Sequence, residues 1–375
     1  MKTYQKRIAV SVLVILFILF LIFILYFFES RFFILGKILY PEYIYLNNLY
    51  EKITNQENNA QDIIVYCDYY TWHNEQRWQR GYSNEPILGF YNSLDTEVIE
   101  KHIEWTNTYA IDVLKVEYLP QFDESIINGI LNADLKKTKI CLMYDSRLRF
   151  ESIGFNTPLY DFNKSIIAQT FIDDMNHIAE TYFSSENYFK IEGRPVLWIY
   201  VTRDFTGNYR NVIETVRHNL KVKGYDVYLV GDVVFWNYKL NEINAFDAVS
   251  CYSAYAGRPQ NTAEFAERLK FLYMVWKTSA NINKVDFIPS GIPAYDDTCL
   301  SLERASLPPL KGSEEDFRYQ LEVIKKLIDP VNISPESAQV SIATFNEHQE
   351  GSSVEPSLEW GYGRINQIPE VFGCD

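Results

Sequence analysis

Eight apolar runs recur along this chain, and their recurrence limits the fold more than any other feature. They cover residues 63–70, 111–119, 139–145, 195–201, 227–232, 248–255, 287–295 and 340–345. Most are too continuous to leave one face in water, so they read as strands buried on both sides. Between many of them the apolar residues change to helical spacing. Ile167, Phe171, Met175, Ile178 and Tyr182 form one stripe; Phe265, Leu269, Leu272 and Trp276 a second; Phe317, Leu321, Ile324 and Ile328 a third. Each stripe lies on one face of a 3.6-residue helix. Strands alternating with helices pair in parallel through crossover helices, and this number of units predicts a single (β/α)8 TIM barrel. An open doubly wound sheet is the alternative, and it usually has a glycine-rich turn after its first strand. Here Tyr69-Tyr70-Thr71-Trp72-His73 stands in that place, and neither GxGxxG nor GxxxxGK[ST] occurs.

Before the first strand the chain has a different character. Lys2, Lys6 and Arg7 precede an uncharged apolar stretch over 8–28. That stretch is long enough to cross the roughly 30 Å hydrocarbon layer as a helix. It ends in large and charged residues, Tyr26-Phe27-Phe28-Glu29, where a cleaved signal would end in small ones. The expected organisation is a cytoplasmic N-terminus at 1–7, a transmembrane anchor at 8–28, a stalk at 29–60 and a catalytic domain at 61–375. The basic residues ahead of the span place that domain outside the cytoplasm or in a lumen. A net charge of −14 argues against nucleic acid as a partner. Cys67, Cys141 and Cys251 fall inside expected strands, where a thiol behaves as a small apolar side chain. No CxxC, HExxH or Cys/His cluster suggests a metal, and no cofactor motif is present.

In a parallel barrel the chemistry gathers at the C-terminal strand ends. Those ends carry Asp68, Tyr69, Tyr70 and Trp72; Glu117 and Tyr118; Asp145 and Arg147; Arg203 and Asp204; Asp232 and Trp236; Tyr252 and Tyr255; Tyr295, Asp296 and Asp297; and Asn346, Glu347 and Glu350. Acids and aromatics dominate, which favours a neutral polyol over a phosphate or a carboxylate. The last run leads into Thr344-Phe345-Asn346-Glu347-His348-Gln349-Glu350-Gly351-Ser352-Ser353-Val354-Glu355. Two carboxylates three residues apart at a strand mouth suit acetal chemistry. One takes a proton from a hydroxyl while the other gives one to a leaving oxygen.

That segment resembles the S-F-N-E-W-H-E-G-T-Q-I-E hallmark of glycoside hydrolase family 99, the endo-α-mannosidase family. Further echoes follow in order: Tyr69-Tyr70-Thr71-Trp72-His73, Tyr91 to His102, Gly193-Arg194-Pro195, and Pro293-Ala294-Tyr295-Asp296-Asp297-Thr298. The resemblance implies a (β/α)8 barrel that needs no metal and cleaves internal α-mannosidic bonds in glycans or mannan with retention. It implies that Glu347 takes the proton of the substrate's own 2-hydroxyl, which attacks C1 to give a 1,2-anhydro sugar. It gives Glu350 the leaving-group proton. Tyr69, Tyr70, Trp72, Asp145, Arg147, Tyr252, Tyr295, Asp296, Asn346 and Glu355 are then expected to hold the glycan. The chain departs from the family at His348 and Gln349, where Trp and His are usual, and at His73. It departs again at Leu142-Met143-Tyr144-Asp145-Ser146-Arg147, where a family glutamate is missing or is replaced in role by Asp145.

Overall fold

The computed structural model describes residues 50–51, 62–120, 124–156, 159–257, 260–300 and 308–373; the expected anchor, nearly all of the stalk, and Cys374 lie outside them. Among the described residues no helix is long and apolar enough to cross a membrane.

The core is a parallel sheet. Its strands are β1 (Asp62–Tyr69), β2 (Val113–Tyr118), β3 (Lys139–Tyr144), β4 (Arg194–Ile199), β5 (Tyr228–Asp232), β6 (Ala248–Ser250), β7 (Asp286–Phe287), β8 (Ser290–Gly291) and β9 (Ser334–Ile342). They run in the order β7-β6-β5-β4-β3-β2-β1-β9-β8. The two ends of that order, β7 and β8, are halves of one strand interrupted at Ile288-Pro289. The first half pairs with β6 and the second with β9, both in parallel. Pro289 cannot donate to a ladder, but its carbonyl accepts the Ser341 N–H at 2.9 Å and so carries the pairing across the break. The sheet thus curls back on itself as a TIM-barrel-like cylinder.

Crossover helices follow most strands: α1 (Thr96–Thr108), α2 (Glu124–Asn132), α3 (Ser165–Tyr182), α4 (Tyr209–Val222), α5 (Thr262–Asn283) and α6 (Glu314–Lys325), with α7 (Gly363–Phe372) after β9. A 3-10 segment, Leu240–Ala245, takes the helix's place between β5 and β6. Each expected apolar stripe is buried against the sheet; Ile328 is buried just past the end of α6. Asn261 with Glu264 and Ser313 with Asp316 form capping boxes that satisfy the first N–H groups of α5 and α6.

The strands keep their expected order, with shifted bounds. β9 begins at Ser334, because its first turn of chain is polar and partly solvated and so lacks an apolar signature. β6 stops at Ser250, and residues 251–255 leave the sheet to carry Tyr252 and Tyr255 over the barrel mouth. The interior is not wholly apolar. Asp68 and Lys115 are register partners on β1 and β2, and their side chains pair at 2.9 Å with almost no exposure. Lys115 also donates to Ser341 Oγ at 2.9 Å and sits 3.9 Å from the centre of the Trp198 ring. Burying these charges is tolerable because each meets a partner.

Candidate active site

Past Ile342 the chain stays beside β1, with the Phe345 N–H donating to the Asp68 carbonyl at 2.7 Å. It then turns back on itself. Thr344 and Phe345 exchange backbone bonds with Ser352, Val354 and Glu355, and the tip between them carries Glu347 and Glu350. Gly351 makes the return possible. Its φ is +65°, and a Cβ there would lie 3.0 Å from Ser83 Cβ. Arg364 on α7, itself buried, donates to the Gly351 and Ser353 carbonyls at 2.9 Å each. From the other side the loop after β1 grips the tip. Gln349 Nε2 donates to the Arg77 and Gly81 carbonyls, both at 3.0 Å, and the Ser83 N–H donates to the His348 carbonyl.

The two glutamates are held together and in different surroundings. Glu347 is buried, and its Oε1 accepts the Gln349 N–H at 2.9 Å and the Glu350 N–H at 3.3 Å. Glu350 is half-buried, and its Oε2 accepts the Tyr252 hydroxyl at 3.2 Å. Burial first, and the charge of Glu350 second, push the Glu347 carboxyl up to about 8; the Arg77 cation pulls the other way. Burial thus favours a proton on Glu347 at neutral pH, beside a second, more exposed carboxyl, and two carboxyls in unlike surroundings suit acid–base chemistry on an acetal.

Of the residues expected to line the site, the structure gathers some and turns others away. Tyr252 touches Glu350 directly. Tyr70 lies within the electrostatic reach of Glu347 and Tyr252, and burial raises its hydroxyl well above the usual value. Trp72 stacks on Tyr70 at 4.3 Å and 21°, and the Arg77 guanidinium lies 4.3 Å from its ring centre. The indole is therefore packed by protein groups, not left as an open platform. Tyr295 donates to Asp297 at 3.0 Å, and Asp296 caps its own turn by accepting from Thr298. Asp145 is buried at the end of β3, where it caps Leu148 and bonds to Glu117; burial raises its carboxyl. Arg147 is exposed and pairs with Glu151 at 3.1 Å on its own helical turn.

Three expected sugar contacts face inward and have their polar atoms occupied. Asn346 is fully buried, with its amide clasping the Tyr70 backbone, N–H to Oδ1 at 2.8 Å and Nδ2 to the carbonyl at 2.9 Å. It fixes Tyr70 and offers nothing to a ligand. Tyr69 donates into the protein, to His102 Nδ1 at 3.0 Å. Glu355 is 2% exposed and is the hub of a polar cluster. Tyr91 and His348 donate to its Oε2 at 2.8 Å each, and His102 to its Oε1 at 3.1 Å. The two histidines, His102 and His348, hold its carboxyl well below the usual carboxylate range despite burial. His348 and Gln349, the departures between the glutamates, are also turned inward, His348 towards Asn84 and Glu355.

Two groups at the site were missed in the strand-end reading. Arg77 sits on the short helix Glu75–Trp78, and only the loop's return brings it near Glu347. Tyr200 directly follows β4 and meets Tyr252 edge-on at 6.0 Å. The strand-end rule would have found Tyr200 had that strand been ended at Ile199 instead of Val201. Among the described residues no group of three or more His, Cys, Asp or Glu side chains is placed to hold a metal ion.

Residues 60–363 match the sequence model of Glycosyl hydrolase family 99. A Rattus norvegicus protein named glycoprotein endo-alpha-1,2-mannosidase is 24% identical over 292 residues, which covers 74% of this chain and 57% of that protein. A Homo sapiens glycoprotein endo-alpha-1,2-mannosidase-like protein is 25% identical over 298 residues, covering 74% and 58%. The chain thus spans less than three fifths of the length of these relatives. The solved GH99 endo-alpha-mannosidase of Bacteroides thetaiotaomicron superposes with a TM-score of 0.61 at 18% identity, over 82% of this chain and 96% of that one. At that identity the likeness speaks for the fold.

Proposed function

The chain belongs to glycosyl hydrolase family 99, and from that premise we propose that it is a retaining, endo-acting glycoside hydrolase of internal α-mannosidic bonds in glycans or mannan. The proposal includes an anchor at 8–28 that holds the catalytic domain outside the cytoplasm. The observation that carries the reading is the Glu347–Glu350 pair, joined by the Glu350 N–H donating to Glu347 Oε1 at 3.3 Å on one tight turn at the barrel mouth, with only the first of them deeply buried.

In this reading Glu347 accepts the proton of the substrate 2-hydroxyl as O2 closes on C1. Glu350 delivers its proton to the departing glycosidic oxygen, and a 1,2-anhydro sugar results. Water then opens that ring at C1. Glu350 accepts the water's proton and Glu347 returns its own to O2, so the pair ends as it began. Burial leaves the resting proton on Glu347, whereas the reaction needs it on Glu350. Bound substrate favours the exchange: it brings a hydroxyl donor to Glu347 and an ether acceptor to Glu350, and Arg77 also favours an ionised Glu347. A base raised to about 8 is also a stronger proton acceptor than an ordinary carboxylate.

The pH dependence follows. Below about 8 the pair carries one proton; above it both carboxyls are ionised and no acid remains. kcat/KM, which reports the free enzyme, is expected to fall about tenfold per pH unit above that point. A rate that stays level through pH 9 would remove the shared proton from the mechanism.

The reading is tested with the full-length protein, α-mannan and glucosylated high-mannose glycans, following products by mass. Internal fragments released with retained anomeric configuration are expected. Saturable binding without cleavage would move the chain to the alternative, a family-99-like protein that binds glycans or acts in surface-polysaccharide assembly.

A further inference from the structure

We propose that a groove outside the barrel mouth, between the short helix Glu75–Trp78 and residues 90–95, is a second glycan-binding site that holds a neutral stretch of the substrate away from the bond being cleaved. The proposal rests on the glycosidase reading above and adds to it a site for the long substrate.

The groove encloses about 410 Å³, room for more than one sugar ring. Trp78 and Tyr91 form its floor, and Phe90 forms a wall. Trp78 is fixed from behind by His73, stacked at 4.6 Å and 15°, and from the side by its indole N–H donating to the Tyr91 carbonyl at 2.7 Å. Phe90 leans on Trp78 at 5.3 Å and on Tyr82 at 4.9 Å, yet half of its surface stays open. Tyr82 is also exposed, so two aromatic side chains in contact present open apolar surface on a segment that is otherwise well held. Exposed aromatic surface of this kind marks a binding face.

The rim selects the occupant. It offers Glu75, Gln79, Asn92 and Asp95, and no Lys or Arg lines the groove. The Gln79 N–H donates to the Glu75 carbonyl at 3.3 Å, while the side chains of both residues are left without a hydrogen-bond partner among the described residues. Phosphate, sulfate or uronate would meet two carboxylates with no counter-charge. A neutral sugar instead lays its C–H face on Phe90 and gives its hydroxyl protons to the carboxylates, an aromatic floor with a few oriented polar groups.

The groove is also mechanically tied to the catalytic turn. The segment that bears it receives the Gln349 side chain at Arg77 and Gly81, and Ser83 bonds to His348. The Ile87 N–H donates to the Pro356 carbonyl, and the Tyr91 hydroxyl reaches Glu355. A polymer seated there is held at a fixed offset from Glu347 and Glu350. Its scissile bond then arrives at a raised effective concentration, which lowers KM and leaves kcat alone.

The experiment compares full-length wild type, Phe90→Ala, Tyr82→Ala and Phe90→Trp on α-mannan and on an activated mannosyl disaccharide too short to reach the groove. Phe90→Ala should raise KM for mannan about tenfold with kcat unchanged, the loss expected of one aromatic platform. Tyr82→Ala should act in the same direction, Phe90→Trp should restore mannan binding, and the disaccharide should be processed alike by all. Unchanged mannan kinetics in Phe90→Ala overturn the proposal. So does an equal loss on the disaccharide, which would show only a disturbed catalytic turn. If wild type cleaves neither substrate, the glycosidase reading fails, and the groove is judged by binding alone. Saturable change in tryptophan fluorescence with mannan oligosaccharides, weakened by Phe90→Ala, then sustains it; no saturable change overturns it.

Discussion

Replacing Glu347 by glutamine is expected to stop turnover and, at neutral pH, to make the protein more stable. Glutamine keeps the shape and the Oε1 that accepts the Gln349 and Glu350 N–H groups, so the turn survives. It cannot take a proton from the 2-hydroxyl, and a positioned base is worth about a hundred- to ten-thousandfold. The loss should appear with good and poor leaving groups alike, because O2 must be activated in both cases, and uncleaved glycan should still bind. The stability gain comes from linkage. The folded carboxyl is raised from 4.5 to about 8. The native state therefore enjoys its full advantage below pH 4.5 and loses it progressively as pH rises to about 8. At pH 7 the cost of holding this buried carboxyl is about 3 kcal/mol at most. Denaturant unfolding from pH 4 to 8 should show wild type falling relative to Glu347→Gln, with the two converging at the acid end. Parallel profiles would mean that Glu347 is not desolvated; full activity in the variant would end the mechanism.

The parts of this molecule that obey a local rule were readable from its sequence. The stripes of α3, α5 and α6 follow the helical period and are buried where that period puts them. The strand order survives because the sheet is parallel and buried on both faces, so each strand is an apolar run. The candidate acid pair could be singled out because both glutamates sit on one contiguous turn. What the sequence does not carry is the direction of a side chain beyond a strand end. Periodicity stops there, and long-range bonds take over. Asn346 turns inward because the Tyr70 backbone, 276 residues away, has a free N–H and carbonyl to satisfy. Glu355 turns inward because Tyr91, His102 and His348 converge on it from three segments. Arg77 reaches the site only because Gln349 pins the loop after β1 from 272 residues away. A residue list taken from strand ends cannot separate the side chains that open towards the barrel mouth from those, such as Asn346 and Glu355, that build the wall behind it.

Glu350→Gln should divide substrates by leaving group and reverse the pH dependence of the first step. The variant retains the Tyr252 contact, since glutamine's carbonyl still accepts that hydroxyl. It has no proton to give. An unactivated glycan, whose alkoxide leaves poorly, should lose about a thousandfold or more. An activated mannosyl disaccharide bearing a fluoride or a nitrophenolate needs no such help, so its leaving group should depart in a burst near the wild-type rate. Steady turnover should still slow, because Glu350 also serves the water that opens the anhydro ring. The pH profile of that burst is the sharper test. In wild type acting on an unactivated glycan the rate falls above about 8, where the proton held by the pair is lost. In Glu350→Gln the first step needs only an ionised Glu347, so it should rise with pH to a plateau. The midpoint should lie below 8, because the charge of Glu350 is one cause of the raised Glu347 value and has been removed. Equal losses on both substrates would take the acid role from Glu350. A burst that still declines at high pH would show that the proton lost in wild type never belonged to this pair.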